Sequence, residues 1–237
     1  MKIVTWNCKG AYRKKHNKLV AEYDPDIWVI QECENPDRLN KSKEFNHSGS
    51  LQWFGDNPNR GVGIFSKPGI SLEIDSFHSD AYRYVIPVTV CTSKRLRLLV
   101  VWAMNDKIDR KKRYIGQVYK ALCHYSDKID ESTFVLGDFN WNVSFKQSGE
   151  LYGNLEDVIT LLASKGIVSC YHILRKENFG NETIPTLYFR GQQNSQFHID
   201  YIFAHNEKIA KGIIDIGEWE PWWHFSDHVP IMLNLSS

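Results

Sequence analysis

The 237-residue chain lacks a long hydrophobic run. No stretch approaches the roughly 18 apolar residues that a membrane-spanning helix needs, so the sequence predicts no membrane span. A charged segment followed by an apolar one is also missing at the start, where residues 1–6 already resemble a strand. We therefore expect a cytoplasmic protein.

Paired cysteines are missing as well. An odd number of thiols, none in Cys-x-x-Cys spacing, disfavours both a disulfide framework and a zinc site. We interpret them as small apolar packing residues in a reducing compartment. The five are Cys8, Cys33, Cys91, Cys123 and Cys170.

The chain has no strong excess of either charge. Its 29 Lys and Arg residues nearly balance 28 Asp and Glu residues, for a net charge of +1. Any attraction to phosphate must therefore come from local patches. The basic run 110–113 is best explained as the solvated face of a helix, whereas the basic cluster at 13–18 is equally compatible with substrate steering.

Repeats and low-complexity linkers are absent, and the length suits one domain over residues 1–237. Helical patterns cover 16–24, 109–129 (with Asp109 as N-cap) and 155–166, and strand patterns fill much of the rest. Two strand-rich halves with interspersed helices favour an α/β or α+β sandwich, although periodicity does not fix its topology.

What the chain does contain is a carboxylate or an amide at five strand-like runs. An acidic group at the end of a buried strand costs stability unless a metal, a partner or water satisfies it. Five such positions suggest one rim where acids converge, as in a hydrolytic site built around a hard cation. The residues are Asn7, Glu32, Asp138 with Asn140, Asp200, and Asp227 with His228.

The spacing of these residues indicates specific partners. Asp138 and Asn140 are two apart in GDFN, so both side chains project to one side and suit a water and a phosphate oxygen. Asp200 lies among apolar residues and needs a partner, for which we predict His228. Glu32 follows a mostly apolar strand and is the most natural metal carboxylate.

Five segments in this order resemble the endonuclease/exonuclease/phosphatase superfamily, which includes the DNase I-like nucleases. The segments are WNCKG, IQE, GDFN, HIDYIF and SDHVPI, and the resemblance covers nearly the whole chain. It implies an α+β fold of four layers, an α/β/β/α sandwich of two packed mixed β-sheets with flanking helices. It also implies hydrolysis of phosphoesters that depends on Mg²⁺ or Mn²⁺.

The resemblance also assigns roles at the rim. It implies that Glu32 is the principal metal ligand, with Asn7 beside it and Asp227 close to the ion. The catalytic group that it implies comprises a water-orienting or water-deprotonating Asp138, a phosphate-holding Asn140 and a dyad of Asp200 and His228 at the scissile phosphate. The sequence leaves open whether the histidine or an aspartate is the base.

Substrate contacts are predicted at five further residues. Trp102 stands where many members have histidine or tyrosine, and an indole can hold a phosphate oxygen but cannot transfer a proton. Lys9 is more typical of the DNase I type than of abasic-site nucleases. Thr186 and Arg60 are further candidates for phosphate contact, and Tyr188 could stack on a base or sugar.

The function that we expect is a nuclease that cuts nucleic-acid phosphodiesters to leave a 5′-phosphate, with DNA favoured over RNA and a monomer favoured. One alternative is a phosphatase or phosphodiesterase acting on a small phosphorylated molecule or a lipid headgroup. Another is a binding module that lacks catalysis, although the full set of acidic residues argues against it.

Overall fold

Strands dominate the computed structural model, which describes residues 1–147 and 149–235. In chain order they are β1 (Lys2–Asn7), β2 (Ile27–Cys33), β3 (Leu51–Asn57), β4 (Arg60–Ser66), β5 (Ser71–Ile74), β6 (Val85–Cys91), β7 (Arg95–Trp102), β8 (Thr133–Asp138), β9 (Ile167–Ser169), β10 (Leu187–Tyr188), β11 (Gln196–Phe197), β12 (Asp200–His205), β13 (Ile213–Ile216) and β14 (Ile231–Asn234).

The helices are short. They are α1 (His16–Tyr23), α2 (Pro36–Leu39), α3 (Ile115–His124), α4 (Leu155–Ala163), α5 (Cys170–Arg175), α6 (Asn206–Ile209) and α7 (Trp219–Trp222). Among the described residues, none of these helices combines the length and the apolar content needed to cross a bilayer.

Two six-stranded sheets form the centre of the molecule. Sheet one has the order β13-β14-β1-β2-β4-β3, and sheet two has the order β5-β6-β7-β8-β12-β9. Each sheet contains one parallel pair, β1 with β2 and β7 with β8, while the other neighbours are antiparallel. Strands β10 and β11 form a separate ribbon.

Apolar side chains on the two faces of sheet two pack into two separate hydrophobic cores. Val100 of β7 belongs to the core that joins the two sheets, whereas its neighbour Val101 packs in the second core with Val118 of α3 and Val158 of α4. Successive side chains of a strand point to opposite faces, so each apolar strand of sheet two serves both cores. The predicted four-layer sandwich is confirmed.

The helix predicted from Asp109 is wrong at its start. Asp109 instead caps a short 3₁₀ turn, accepting a hydrogen bond from Lys111 N, and α3 begins only at Ile115. Tyr114 lies between them with φ 48°, a backbone conformation that interrupts a helix. The predicted helix over 16–24 is confirmed, since α1 ends at Tyr23, just before the Asp24–Pro25 pair.

Candidate active site

Strand direction brings the polar residues to one edge of both sheets. Parallel β1 and β2 carry Asn7 and Glu32 at their carboxyl ends, and antiparallel β14 starts at that edge, three residues after His228. In sheet two, β8 ends on Asp138, and antiparallel β12 begins on Asp200 directly opposite. The convergence that the sequence predicted therefore follows from the topology.

A buried cluster of three ionisable side chains lies at this edge. Asp138, Asp200 and His228 each offer an atom within 4.8 Å of the others. As predicted, His228 pairs with Asp200, with Nδ1 at 2.9 Å from Oδ2. Thr186 donates its hydroxyl to the same carboxylate oxygen at 2.7 Å and accepts the backbone N–H of Asp200. These contacts fix the orientation of the imidazole.

Asp138 is held from two sides by amides. Asn7 Nδ2 donates to its Oδ2 at 2.9 Å, and Asn140 Nδ2 donates to the same oxygen at 3.1 Å. The backbone N–H of Asn140 donates to Oδ1 at 2.9 Å. Asn140 has φ 51°, which the turn needs in order to fold its amide back towards Asp138.

Burial and the charges of neighbouring groups shift the pKa values of two side chains in the cluster, Asp138 and His228. Burial, together with the neighbouring Asp200 charge, raises the pKa of Asp138 to about 7. Burial alone would lower the pKa of His228, but the Asp200 carboxylate outweighs it and raises that pKa to about 10. The Asp200 carboxylate therefore favours the protonated imidazole of His228, and burial favours the protonated form of Asp138.

Glu32 and Asp227 lie nearer to solvent, and each contacts a cation. Glu32 adopts φ 60° where a bulge shifts the β2–β4 register between Gln31 and Cys33. A bulge of this kind re-aims a side chain, here at the cost of a strained backbone. Arg60 lies 3.0 Å from Glu32 Oε2, and Lys9 lies 2.8 Å from Asp227 Oδ2.

The donor set fits a divalent cation. Within the described residues, the buried oxygens Glu32 Oε2 and Asp200 Oδ1 accept no hydrogen bond. Arg60 is close to Glu32 Oε2, but its angle does not meet hydrogen-bond geometry. Unsatisfied carboxylate oxygens are the ligands that Mg²⁺ and Mn²⁺ prefer. The specific ligand set of Glu32, Asn7 and Asp227 stays a prediction; Asn7 would use its Oδ1, which here accepts the backbone N–H of Lys9.

Three of the predicted substrate-contact residues are buried. Thr186 is fully buried and donates its hydroxyl to Asp200, so it orients that carboxylate, and its phosphate contact stays a prediction. Trp102 is only 2% exposed and packs edge-on against Tyr84 in the inter-sheet core. Tyr188 packs against Trp219 with ring centroids 4.3 Å apart. Phosphate contact by Trp102 and stacking by Tyr188 stay predictions.

Two residues that organise the site were missed. Lys15 donates at 2.6 Å to the carbonyls of Cys8, Gly10 and Phe225, which ties the loop after β1 to the segment before Asp227. Ser226 donates to the Asn7 carbonyl and accepts the His228 N–H. The position of Ser226 directly before the Asp-His pair was the only sequence signal, and Lys15 had none within its basic run.

Solved structures of the same fold come from several DNA-acting proteins. The Neisseria protein NExo, described as a 3′-5′ exonuclease and also as a 3′ phosphatase bound to a product DNA hairpin, has a TM-score of 0.70 and 20% identity over 100% of both chains. The AP endonuclease LMAP from Leishmania major has a TM-score of 0.70 and 13% identity, covering 100% of this chain and 87% of its own. The endonuclease domain of TRAS1, a telomere-specific non-LTR retrotransposon, has a TM-score of 0.67 and 14% identity, with 99% and 97% covered. At these identities the likeness establishes the fold alone.

The sequence match settles the family. No curated protein matches the chain. The profile of the Endonuclease/Exonuclease/phosphatase family, however, matches residues 4–228, a span that includes every residue of the buried cluster. The chain therefore belongs to the Endonuclease/Exonuclease/phosphatase family, whose members are phosphoester hydrolases.

Proposed function

We propose that the protein is a divalent-metal-dependent nuclease that hydrolyses nucleic-acid phosphodiesters. The observation that carries the proposal is the buried cluster of Asp138, Asp200 and His228, with Glu32 beside it at the same edge of the sheets. A binding module would have no use for buried charges whose desolvation costs stability. Ionisable groups that are buried together at the ends of strands are typical of catalytic sites, where their shifted pKa values are used.

The shifted pKa values of Asp138 and His228 suit these two residues to different catalytic roles. Asp138, with a pKa of about 7, is the better base for an attacking water, because a general base works best when its pKa lies near the operating pH. His228, with a pKa of about 10, keeps its proton and donates a hydrogen bond to a non-bridging phosphate oxygen. Asn140 orients Asp138, and its second amide hydrogen is donated to the Ala103 carbonyl, so a phosphate contact by Asn140 would require one of these two bonds to be exchanged.

A divalent cation would be held by oxygen atoms of Glu32 and its neighbours. When bound, it supplies charge neutralisation at the phosphate and at the leaving oxygen. Mg²⁺ is the ion that we propose, with Mn²⁺ as a substitute, because the site offers carboxylate and amide oxygens and lacks thiolates. Arg60 and Lys9, which contact Glu32 and Asp227, are the cations that such an ion would displace.

DNA is the favoured substrate because the fold neighbours are described as acting on it. NExo was solved with a DNA hairpin, and LMAP is described as an AP endonuclease. The description of NExo as a 3′ phosphatase supports a second candidate, removal of a terminal phosphate. Hydrolysis of a small phosphoester is the remaining alternative, and the same chemistry would serve it.

The test is hydrolysis of a substrate panel with Mg²⁺ or Mn²⁺ and with chelator. The panel contains supercoiled plasmid, end-labelled single-stranded and duplex DNA, the corresponding RNA, a 3′-phosphorylated hairpin and bis(p-nitrophenyl) phosphate. We expect plasmid nicking and strand cleavage that chelator, Glu32→Ala and His228→Ala each abolish. Cleavage of the small ester or of the 3′-phosphate alone would move the assignment to a phosphatase.

Control variants distinguish the loss of a catalytic group from a nonspecific effect of substitution. Glu73 and His124 are exposed residues outside the site, so Glu73→Ala and His124→Ala should retain wild-type rates. Activity of Glu32→Ala equal to that of Glu73→Ala would contradict the proposed site. Hydrolysis that persists in chelator would contradict the metal dependence.

A further inference from the structure

A cleft of about 930 Å³ opens beside the catalytic edge. Three chain segments form its walls, and each leads directly to a catalytic element. One wall begins at Asn105, two residues after Ala103, whose carbonyl accepts the Asn140 amide at 3.0 Å. The second wall begins at Trp141, next to Asn140 in the chain, and Phe197 on the third precedes Asp200 by three residues.

The cleft concentrates positive charge in a nearly neutral protein. Four cationic side chains line it, against one acidic side chain: Lys107, Arg110, Arg113 and Lys146 against Asp106. The net lining charge of +3, four minus one, compares with +1 for the whole chain. The Asp106 carboxylate is engaged by the backbone N–H groups of Ile108 and Asp109, which hold the loop. A patch of this kind attracts the phosphates of an extended polyanion.

Aromatic rings line the same cleft. Trp141 contacts Phe145 edge to face, with ring centroids 5.9 Å apart, and Phe145 contacts Phe197 in the same way at 5.2 Å. Phe197 is 36% exposed and therefore presents ring surface to solvent. Base-stacking on aromatic side chains needs bases that are not already stacked in a duplex. Phosphates alone would be bound by the cations without any aromatic wall.

We propose that this cleft binds an unpaired nucleic-acid strand adjacent to the scissile phosphate, with its cations on the phosphates and its aromatic rings on the bases. The inference rests on the proposed nuclease function and names the substrate class for it, a single strand or an unpaired segment. A small phosphoester would occupy only the catalytic edge and would leave the cleft unused.

The test measures binding in chelator, where no metal-dependent hydrolysis occurs. Fluorescence anisotropy with a fluorescein-labelled oligothymidylate and a matching duplex gives the dissociation constants from about 50 to 200 mM salt. The charge variant is Lys107→Gln/Arg110→Gln/Lys146→Gln. We expect its affinity for the single strand to fall about tenfold or more, and its salt slope to flatten by about 2, since each lost single-strand phosphate contact accounts for about 0.7.

A variant with the same change of charge serves as the control. Lys94, Lys128 and Lys165 lie at the opposite ends of the strands of sheet two, so Lys94→Gln/Lys128→Gln/Lys165→Gln should bind like wild type. Phe197→Ala should weaken single-strand binding about tenfold and change duplex binding little. Circular dichroism melting identifies any variant that fails to fold, and the single variants Arg110→Gln and Lys146→Gln then replace the triple one.

Each outcome decides the inference. Equal affinities of the two triple variants would overturn it, as would a wild-type protein that binds no strand. Duplex binding stronger than single-strand binding, together with an unaffected Phe197→Ala, would overturn the unpaired-strand part. Normal strand binding with no hydrolysis of any panel substrate would leave the cleft assignment standing and defeat the nuclease proposal.

Discussion

The site has two halves that satisfy their charges in different ways. The inner half consists of Asp138, Asp200 and His228, and the outer half consists of Glu32 and Asp227. In the inner half the side chains of Asp200 and His228 are 3% and 8% exposed and pair with each other. In the outer half the side chains of Glu32 and Asp227 are 17% and 19% exposed.

The partners differ even more than the burial. The outer carboxylates pair with Arg60 and Lys9, whose side chains are more than half exposed and can swing away into solvent. The inner groups bond to residues fixed in the sheet, such as Thr186 and Asn7. The inner half is therefore held rigidly and the outer half can rearrange, as the proposed roles require: proton transfer and phosphate contact for the inner half, and exchange of a cation for the outer half.

The largest effect on stability should come from breaking the inner pair. His228→Ala leaves the Asp200 carboxylate buried without its cation, so we expect the free energy of unfolding to fall by about 3 kcal/mol or more. Asp227→Ala removes only a solvent-exposed pair and should cost less than about 1 kcal/mol. Urea denaturation of both variants measures the free energy of unfolding. Equal losses in the two variants would contradict the proposed difference between the inner and the outer half.

The inner half should also make stability depend on pH. The pKa of His228 is about 10 in the folded protein, above its ordinary value of 6.5, so its contribution is complete below pH 6.5 and is lost as the pH rises towards 10. We expect the free energy of unfolding to fall by about 2 kcal/mol from about pH 7 to about pH 9. His228→Gln should flatten this dependence, whereas Asp227→Asn should weaken it only slightly, because Asp227 contributes least among the charges that raise the pKa of His228. A wild-type protein that becomes more stable from about pH 7 to about pH 9 would contradict the conclusion that His228 carries a positive charge in the folded protein.

Lys15 ties the loop after β1, which carries Lys9, to the segment that carries Asp227. Lys15→Met removes the donor shared by the carbonyls of Cys8, Gly10 and Phe225, and we expect a loss of about 2 kcal/mol together with weaker Mn²⁺ binding. Its exposed neighbour supplies the control, Lys14→Met, which should change neither property. Thermal melting and calorimetric titration are the measurements. A normal Mn²⁺ affinity in a destabilised Lys15→Met would limit Lys15 to a purely structural role.

The smallest effect concerns the outer cations. Arg60→Ala removes a positive charge 3.0 Å from Glu32 Oε2, so we expect Mn²⁺ to bind about threefold more tightly. Isothermal titration calorimetry of the metal alone measures this without any substrate. The matched variant is Arg38→Ala, on an exposed helix residue elsewhere in the first part of the chain. Weaker binding by Arg60→Ala would mean that the guanidinium helps to hold the cation site together.

Residues of both halves were named from the sequence, but sequence patterns indicate the local geometry of the inner half better than that of the outer half. Asp138 and Asp200 occupy strand ends and His228 precedes a strand, and both strand alternation and the need of a buried acid for a partner are visible in sequence. The backbone of Glu32 is different, because its φ of 60° arises from a bulge that depends on pairing with β4. No local pattern in residues 26–32 indicates that bulge.

Other misses have similar causes. The edge strands β3 and β5 contain polar, half-buried or exposed residues, so no run of apolar residues indicates them in the sequence. The start of α3 was misplaced because Asp109 is an equally good cap for the 3₁₀ turn at Arg110. The hydrogen bond from the Thr186 hydroxyl to Asp200 was not predicted, because it joins residues 14 apart in the chain that only the fold brings together.

The most direct test of the account is single-turnover cleavage of a labelled DNA strand by Asp138→Asn in saturating Mg²⁺. Asparagine keeps the shape of the side chain but cannot accept a proton, so we expect the cleavage rate to fall about 10³-fold. The exposed Asp127→Asn should cleave like wild type. A rate for Asp138→Asn within about threefold of wild type would contradict the central claim that the inner half performs the hydrolysis.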